Sequence, residues 1–185
     1  MRRNLGVKAA LYPMPVFILA TYNDDGTPNA MTAAWGGISE ENEVTICISA
    51  DHQTTFNIEK RKAFTINIGD EEHVKACDYL GIISGKNVHD KVARAGFTVT
   101  GSGFVDAPVI NELGFAVECK VKSWEPGRCR LVGEIVNLSV DDEKCTDGKV
   151  DMKKLRPITY DSINKSYHVI GEKVGNAYKD GLALK

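Results

Sequence analysis

The segment from Gly81 to Asn87, which reads GIISGKN, comes nearest to a motif that performs chemistry. It resembles a P-loop, where glycines and a lysine cradle phosphate and a hydroxyl holds magnesium. The glycines are one residue too close together, however, and Asn87 occupies the Ser or Thr position. Gly101 and Gly103 begin a dinucleotide fingerprint, but Asp106 stands where its third glycine belongs. The sequence therefore predicts neither a P-loop nucleotidase nor a Rossmann domain.

Metal chemistry and nucleophilic chemistry also lack their usual spacing. The chain has four histidines: His52, His73, His89 and His168. They form no HExxH motif and no pair at ligand spacing, so they are interpreted as surface or structural residues. No Gly-x-Ser-x-Gly elbow marks a nucleophilic serine. No catalytic side chain and no metal ligand is assigned, so any chemistry is expected to reside in a cofactor.

The five cysteines form no CxxC pair, and their odd number does not suggest a disulfide framework. Cys47 and Cys119 alternate with their neighbours in apolar runs, which favours burial over redox chemistry for both thiols. We therefore predict reduced, mostly structural cysteines.

The elements that would position a cofactor are mainly strands. Two apolar runs, Pro15 to Tyr22 and Pro28 to Trp35, flank the turn residues from Asn23 to Gly26 and predict a β-hairpin. Gly36 and Gly37 are expected to end its second strand. Further strands are predicted at 44–49, 63–68, 115–122 and 130–140, and helices at 53–62, 71–80 and 87–95.

In the segment 130–140, apolar residues occur at both odd and even positions, which predicts a central strand packed on two sides. The segment 141–151 is predicted to be a charged loop. Strands outnumber helices, and neighbouring strands are joined mostly by turns. This pattern favours an antiparallel barrel or sandwich, with the helices as excursions.

Length and charge limit the class of protein. A chain of 185 residues with 43% hydrophobic content suits a single domain, residues 1–185, with one core. Lys and Arg total 23 and Asp and Glu 25, so no global field favours nucleic acid or an anionic membrane. The apolar runs are too short for a membrane helix. We therefore expect a soluble cytoplasmic protein that binds neither nucleic acid nor membrane.

Several short segments, taken in order, carry a family resemblance. They are Asn29-Ala30-Met31-Thr32-Ala33-Ala34-Trp35, Ser49, Thr54-Thr55-Phe56-Asn57-Ile58, Phe64-Thr65-Ile66-Asn67, Ser84-Gly85-Lys86 with Asp90-Lys91, and Tyr167-His168-Val169-Ile170-Gly171. This series resembles the flavin reductase-like family over nearly the whole chain, and within it the flavoredoxins. The resemblance implies a mainly β fold with short helices, an antiparallel split β-barrel that forms a homodimer and holds FMN near the dimer interface.

The resemblance also implies which residues contact FMN. They are Asn29, Met31, Thr32, Ala33, Ala34, Trp35, Ser49, Ala50, Thr54, Thr55, Ser84, Lys91 and Tyr167. The small residues Thr32 to Ala34 would let a strand bring its backbone close to a flat ring, although an ordinary packed strand has the same composition. Trp35 would either cover a ring face or close the barrel end.

Charge and the helix dipole give three of these residues a physical role. Thr54 and Thr55 stand at the predicted start of a helix, where free N–H groups favour a phosphate; the alternative is that one threonine simply caps the helix. Lys91 would place a cation near the phosphate or near the N1 and O2 edge of the flavin. The alternative for Lys91 is an ion pair with a surface acid.

FMN in such a site would transfer reducing equivalents from NAD(P)H or a protein donor without any side-chain nucleophile. Two classes remain open from sequence. One is an FMN-dependent oxidoreductase acting on NAD(P)H, and the other is a non-enzymatic electron carrier or flavin-binding module without nicotinamide activity.

Overall fold

The computed structural model describes residues 1–185. The strands are β1 Met14–Pro15, β2 Phe17–Tyr22, β3 Pro28–Ala33, β4 Gly36–Glu40, β5 Glu43–Cys47, β6 Ala63–Ile68, β7 Val99–Gly101, β8 Pro108–Ile110, β9 Phe115–Glu125, β10 Arg130–Val140, β11 Cys145–Thr146, β12 Lys149–Val150, β13 Ile158–Asp161 and β14 Ser166–Val169. The helices are α1 Gln53–Arg61, α2 Val74–Ile82, α3 Lys91–Arg94 and α4 Met152–Leu155, with 3₁₀ turns at Pro126–Arg128, Asp142–Lys144 and Asp180–Leu184. None of these helices has the length and apolar character needed to cross a membrane.

One seven-stranded antiparallel sheet dominates the molecule, in the order β3-β2-β6-β9-β10-β5-β4. It does not close, since β3 and β4 each pair on one side only. A second sheet, β1-β13-β14, joins the start of the chain to a late hairpin, and β7-β8 and β11-β12 form two small ribbons. The predicted mainly β, antiparallel split-barrel fold is confirmed.

Strand β2 lies between two hydrophobic clusters because its successive side chains point to opposite faces. Phe17 and Leu19 belong to the first cluster, with Val44, Ile46, Ile48, Ile58, Phe64, Ile66, Cys119 and Leu131. Ile18 and Ala20 belong to the second, with Val16, Ala30, Cys77, Leu80, Val92, Phe97, Ile110, Leu113 and Ile158. The second cluster anchors α2 and α3 against the sheet.

The predicted hairpin is present as β2 and β3, with Phe17 opposite Ala33. Its second strand ends at Ala33, two residues before the predicted end at Trp35, and Gly36 begins a new strand, β4, that pairs with β5. A Cβ on Gly36 would lie 2.7 Å from the carbonyl oxygen of Thr45. This glycine therefore permits the close approach of β4 to β5.

The predicted helices are shorter or shifted in the structure. The helix expected at 87–95 is a single turn, α3, and Asn87 does not cap it. The helix expected at 71–80 begins only at Val74. The loop expected at 141–151 contains the ribbon β11-β12.

Strand β10 lies inside the sheet, as predicted, between β9 and β5. Its expected burial on two sides holds only near Leu131, since Leu138 is 58% exposed. Among the cysteines, Cys119 is buried as expected, but the prediction for Cys47 is wrong because its thiol is exposed. Ile46 points into the first cluster, so its neighbour Cys47 must point outward.

Candidate functional site

A small cleft opens between the start of α1 and the end of α2, and we call it the basic cleft. Its volume is about 130 Å³. It is lined by Met31, His52, Gln53, Thr54, Leu80, Gly81, Ile82, Ile83, Ser84, Gly85 and Lys91. No acidic side chain contributes to this lining, so the local charge favours an anion.

The first turn of α1 directs free backbone donors at this cleft. His52 is the N-cap residue, and its side chain makes no capping hydrogen bond. The N–H groups of Gln53 and Thr54 have no acceptor within the chain. Such unpaired donors, together with the helix dipole, form a favourable site for a negatively charged group. The alternative that a threonine caps this helix is wrong.

The two threonines of α1 have different tasks. The hydroxyl of Thr54 accepts a hydrogen bond of 2.8 Å from the side-chain amide of buried Asn29, and Thr54 itself lines the basic cleft. The hydroxyl of Thr55 donates to the carbonyl oxygen of Ser49 at 2.7 Å. Thr54 thus keeps its hydroxyl proton available, whereas Thr55 ties the helix to the preceding strand end.

Lys91 supplies the cation of the basic cleft. Its side chain is buried, with 2% exposure, and its ammonium donates to the carbonyl oxygens of Leu80, at 3.0 Å, and Ile83. An ammonium has three donors, so one remains for a group in the cleft. Lys91 takes part in no ion pair, and the alternative of a surface salt bridge is therefore wrong. Burial lowers the pKa of Lys91 to about 8.

Strand β3 holds α2 and the following loop in place through close contacts. The hydroxyl of Thr32 donates to the carbonyl oxygen of Cys77, and a Cβ on Gly81 would lie 3.2 Å from the Cβ of Thr32. A Cβ on Gly85 would collide with the side-chain oxygen of Asn29. The loop that carries Ser84 can therefore lie this close to β3 only because it contains glycine.

A second cleft, which we call the tyrosine cleft, borders the last turn of α2 and has a volume of about 330 Å³. It is lined by Val16, Thr32, Ala33, Ala34, Asp78, Gly81, Ile82, Tyr160, Lys165 and Tyr167. Gly81 and Ile82 line both clefts, so the two clefts are neighbours, and we refer to them together as the groove.

Tyr167 is fixed in the wall of the tyrosine cleft. Its hydroxyl donates to the carboxylate of Asp78 at 2.8 Å, and its ring lies 5.7 Å from that of Tyr160, at an interplanar angle of 45°. Burial, followed by the carboxylate of Asp78, raises the pKa of Tyr167. Tyr167 therefore stays a neutral hydrogen-bond donor.

Trp35 lies beyond the end of β3 and is 53% exposed. It lines a third cleft, the apolar cleft, of about 360 Å³. That cleft is bounded by Ala9, Ala10, Leu11, Pro13, Met14, Pro15, Ala34, Trp35 and Gly36. Ala34 is shared with the tyrosine cleft, so Trp35 lies next to that cleft rather than inside it.

The predicted site residues thus separate into groups. Met31, Thr54, Ser84 and Lys91 line the basic cleft, Thr32, Ala33, Ala34 and Tyr167 line the tyrosine cleft, and Trp35 lines the apolar cleft. Asn29, Ser49, Ala50 and Thr55 line none of these three. Asn29 and the carbonyl of Ser49 instead position the start of α1.

Sequence reasoning missed three polar lining residues of the tyrosine cleft, namely Asp78, Tyr160 and Lys165. Asp78 lies on α2, and the other two lie on the β13-β14 hairpin or its turn. Pairing of Met14 with Tyr160 brings that hairpin, distant in sequence, to the groove. No sequence motif marks these positions.

The groove as a whole suits a ligand that is anionic at one end and planar at the other. The basic cleft offers backbone donors and an ammonium, while the tyrosine cleft offers small residues on an edge strand and two aromatic rings. These are the features of a site that fixes a small molecule with few polar contacts.

Comparisons with known proteins show what the chain as a whole is similar to. A family model described as flavin reductase like domain matches residues 9–161. The structure is similar to the flavoredoxin of Desulfovibrio vulgaris (Miyazaki F), with 34% identity, 98% of this chain and 100% of that chain covered, and a TM-score of 0.93. It is similar to the flavoredoxin from Methanosarcina acetivorans, with 28% identity, 100% and 98% coverage and a TM-score of 0.85.

A more distant likeness concerns the fold alone. An FMN-binding domain of a flavin reductases-like enzyme from Shewanella baltica OS155 has 18% identity, covers 88% of each chain and has a TM-score of 0.78.

Proposed function

The chain belongs to the flavin reductase-like family, and from that premise we propose that it binds FMN and transfers reducing equivalents through it. We propose that residues 1–185 act as one FMN-binding domain of the flavoredoxin type. One observation carries the proposal: the unpaired N–H groups of α1 and the ammonium of Lys91 meet in the basic cleft, which continues into the tyrosine cleft.

The phosphate of FMN is assigned to the basic cleft. The N–H groups of Gln53 and Thr54 would donate to its oxygens, and the remaining N–H of Lys91 would add a charge-assisted hydrogen bond. The hydroxyls of Thr54 and Ser84 are further donors along the same lining. Asn29 and Thr55 support these groups from behind, so their replacement would act through the position of α1.

The ring of FMN is assigned to the tyrosine cleft. Strand β3 is an edge strand, so it presents N–H and C=O groups that no neighbouring strand takes up. The small residues Thr32, Ala33 and Ala34 would let a planar ligand approach this edge and satisfy those groups. Tyr167 would close the opposite wall, held there by Asp78.

Bound FMN supplies two-electron chemistry, accepting hydride from a nicotinamide or electrons from a protein donor. The chain's own part is to bind the phosphate, orient the ring and leave one face open to the donor. No side chain of the groove is assigned as a nucleophile. We propose that NAD(P)H is the donor and that the protein is therefore an oxidoreductase.

We propose that the active form is a homodimer with FMN near its interface. Strand β4 is exposed along its whole length, and Ile38 on it is 71% exposed, close in sequence to half-exposed Trp35. Exposed apolar groups beside a ligand groove are typical of interfaces. Light scattering coupled to gel filtration tests this, since a mass near 20.2 kDa would contradict it and twice that value would support it.

Anaerobic stopped-flow mixing tests whether the protein is an oxidoreductase. The FMN-loaded protein is mixed with NADH or NADPH, and the oxidised flavin absorbance is followed. Rapid bleaching with either nucleotide is the expected result. Bleaching only by an added reduced protein would contradict nicotinamide activity and leave an electron carrier. A protein that takes up no FMN would contradict the proposal itself.

A further inference from the structure

We propose that Lys165 is the cation that acts on the flavin ring, so that it strengthens binding of reduced FMN relative to oxidised FMN. The inference rests on the proposed function, because it assumes that the ring lies in the tyrosine cleft. It differs from the alternative in which Lys91 is the cation near the N1 and O2 edge of the flavin.

The charges that line the tyrosine cleft are few. Among its lining residues only Lys165 and Asp78 carry charged side chains. The carboxylate of Asp78 accepts the hydroxyl hydrogen bond of Tyr167 and forms no salt bridge. Lys165 likewise takes part in no ion pair. Its positive charge is therefore free to act on a ligand.

The turn that carries Lys165 is held in a defined shape. The carboxylate of Asp161 accepts hydrogen bonds from the backbone N–H of Ile163, at 2.9 Å, and of Asn164, at 3.2 Å. It also accepts the side-chain amide of Asn164 at 2.6 Å and the hydroxyl of Tyr12. These contacts fix the backbone just before Lys165, which itself lines the tyrosine cleft.

The backbone of Lys165 is left-handed, with φ of +55°. This conformation favours glycine or asparagine, and a lysine gains nothing from it locally. The position therefore holds a long cationic side chain at a place where turn geometry alone favours another residue. Asparagine can therefore replace this lysine without added backbone strain.

Lys91 is unsuited to the same task because its ammonium is already held at the basic cleft. Two of its three donors point to the carbonyl oxygens of Leu80 and Ile83. Lys91 lines the basic cleft, and Lys165 lines the tyrosine cleft. The two cations thus serve opposite ends of the groove.

The physical effect follows from charge. Reduction adds two electrons to the ring, and with the uptake of one proton the ring gains one negative charge. A nearby cation stabilises this state more than the neutral oxidised ring. Because Lys165 is exposed, solvent and salt weaken the effect, and we expect it to be about tenfold in relative affinity.

The test removes this charge without disturbing the turn. Lys165→Asn suits a left-handed backbone, and Lys165→Arg keeps the charge. Lys62→Asn is the matched control, because Lys62 is an exposed lysine with φ of +57° that does not line the tyrosine cleft. The midpoint potential of bound FMN is measured by anaerobic reductive titration with dithionite against a reference dye, and FMN affinity is measured by fluorescence.

Lys165→Asn should lower the ratio of affinities for reduced and oxidised FMN about tenfold, which equals about 30 mV for a two-electron couple. The midpoint potentials of FMN bound to Lys165→Arg and to Lys62→Asn should stay close to that of the unchanged protein. The inference is overturned if Lys165→Asn leaves the potential unchanged, or if Lys62→Asn shifts it equally. In both cases FMN binding would remain, so the proposed function would stand. Failure of the unchanged protein to bind FMN would overturn both.

Discussion

The ammonium of Lys91 donates a hydrogen bond of 3.0 Å to the carbonyl oxygen of Leu80, in the last turn of α2. This contact keeps the charge at the end of one helix while the first turn of another, α1, points its free N–H groups into the same cleft. An anion between them is attracted from two sides.

Replacing Lys91 by methionine should weaken FMN binding about tenfold to a hundredfold, since a hydrogen bond to a charged group contributes about 1.5 to 3 kcal/mol. Quenching of FMN fluorescence on titration measures the affinity. Lys75→Met serves as control, because Lys75 is an exposed lysine at the other end of α2. Equal FMN affinity in the unchanged protein and the Lys91 variant would contradict the assignment of the phosphate to the basic cleft.

FMN affinity should depend on pH through Lys91. Burial lowers its pKa to about 8 in the FMN-free protein. Above that pH the free lysine loses its proton, so affinity should fall by up to about tenfold per pH unit. Lys91→Met should remove this component of the pH dependence. Fluorescence titrations on either side of pH 8 measure it, and parallel pH profiles for both proteins would contradict the role of this lysine.

Burial of Lys91 also makes the stability of the FMN-free chain depend on pH. Its unfolding free energy should rise with pH, whereas FMN affinity should fall. The pKa of this lysine in the unfolded chain is about 10.5. The free-energy cost of burying the ammonium is therefore fully present below about pH 8. It is relieved as pH rises from about 8 to about 10.5. The unfolding free energy of the unchanged protein should therefore rise across this window relative to that of Lys91→Met in urea denaturation. A constant difference between the two proteins would contradict this expectation.

Gly81→Ala should narrow the groove where the two clefts meet, because the added Cβ would lie 3.2 Å from the Cβ of Thr32. Alanine gains about 1 kcal/mol in helix propensity, which offsets much of the strain. We therefore expect FMN affinity to fall about tenfold with little change in unfolding free energy. Gly127→Ala is the control, since a Cβ there meets no atom within 4 Å. Unchanged affinity in Gly81→Ala would show that the ligand does not bridge the clefts.

Asn29 and Thr54 should be energetically coupled, since their side chains share a buried hydrogen bond of 2.8 Å. A double-mutant cycle with Asn29→Ala and Thr54→Val, followed by urea denaturation, should give a coupling energy of about 1 kcal/mol. If the two substitutions lower the unfolding free energy in a strictly additive way, this hydrogen bond does not hold α1 against β3.

Local sequence patterns predicted the main secondary-structure elements that form this site. The hairpin of β2 and β3 and helix α1 follow from apolar alternation, turn residues and helical spacing, and they bring Thr32 and Thr54 to the groove. The free N–H groups of Thr54 and its neighbour follow from any helix start that lacks a side-chain cap. These features depend on residues close together in sequence.

Other features of the site depend on long-range packing and could not be predicted from the sequence. Lys165 reaches the groove because β1 pairs with β13, across almost the whole chain. The hydrogen bond from the amide of Asn29 to Thr54 joins residues 25 positions apart. The position of the Lys91 ammonium depends on the carbonyl oxygens of Leu80 and Ile83, which no sequence motif marks as its partners.

The most direct test of FMN binding is the visible spectrum of the purified protein, followed by identification of the chromophore released by acid and by titration of the flavin-free chain with FMN. We predict a flavin spectrum, release of FMN, and saturable rebinding of one FMN per chain. A colourless protein that takes up no added FMN would contradict the central claim.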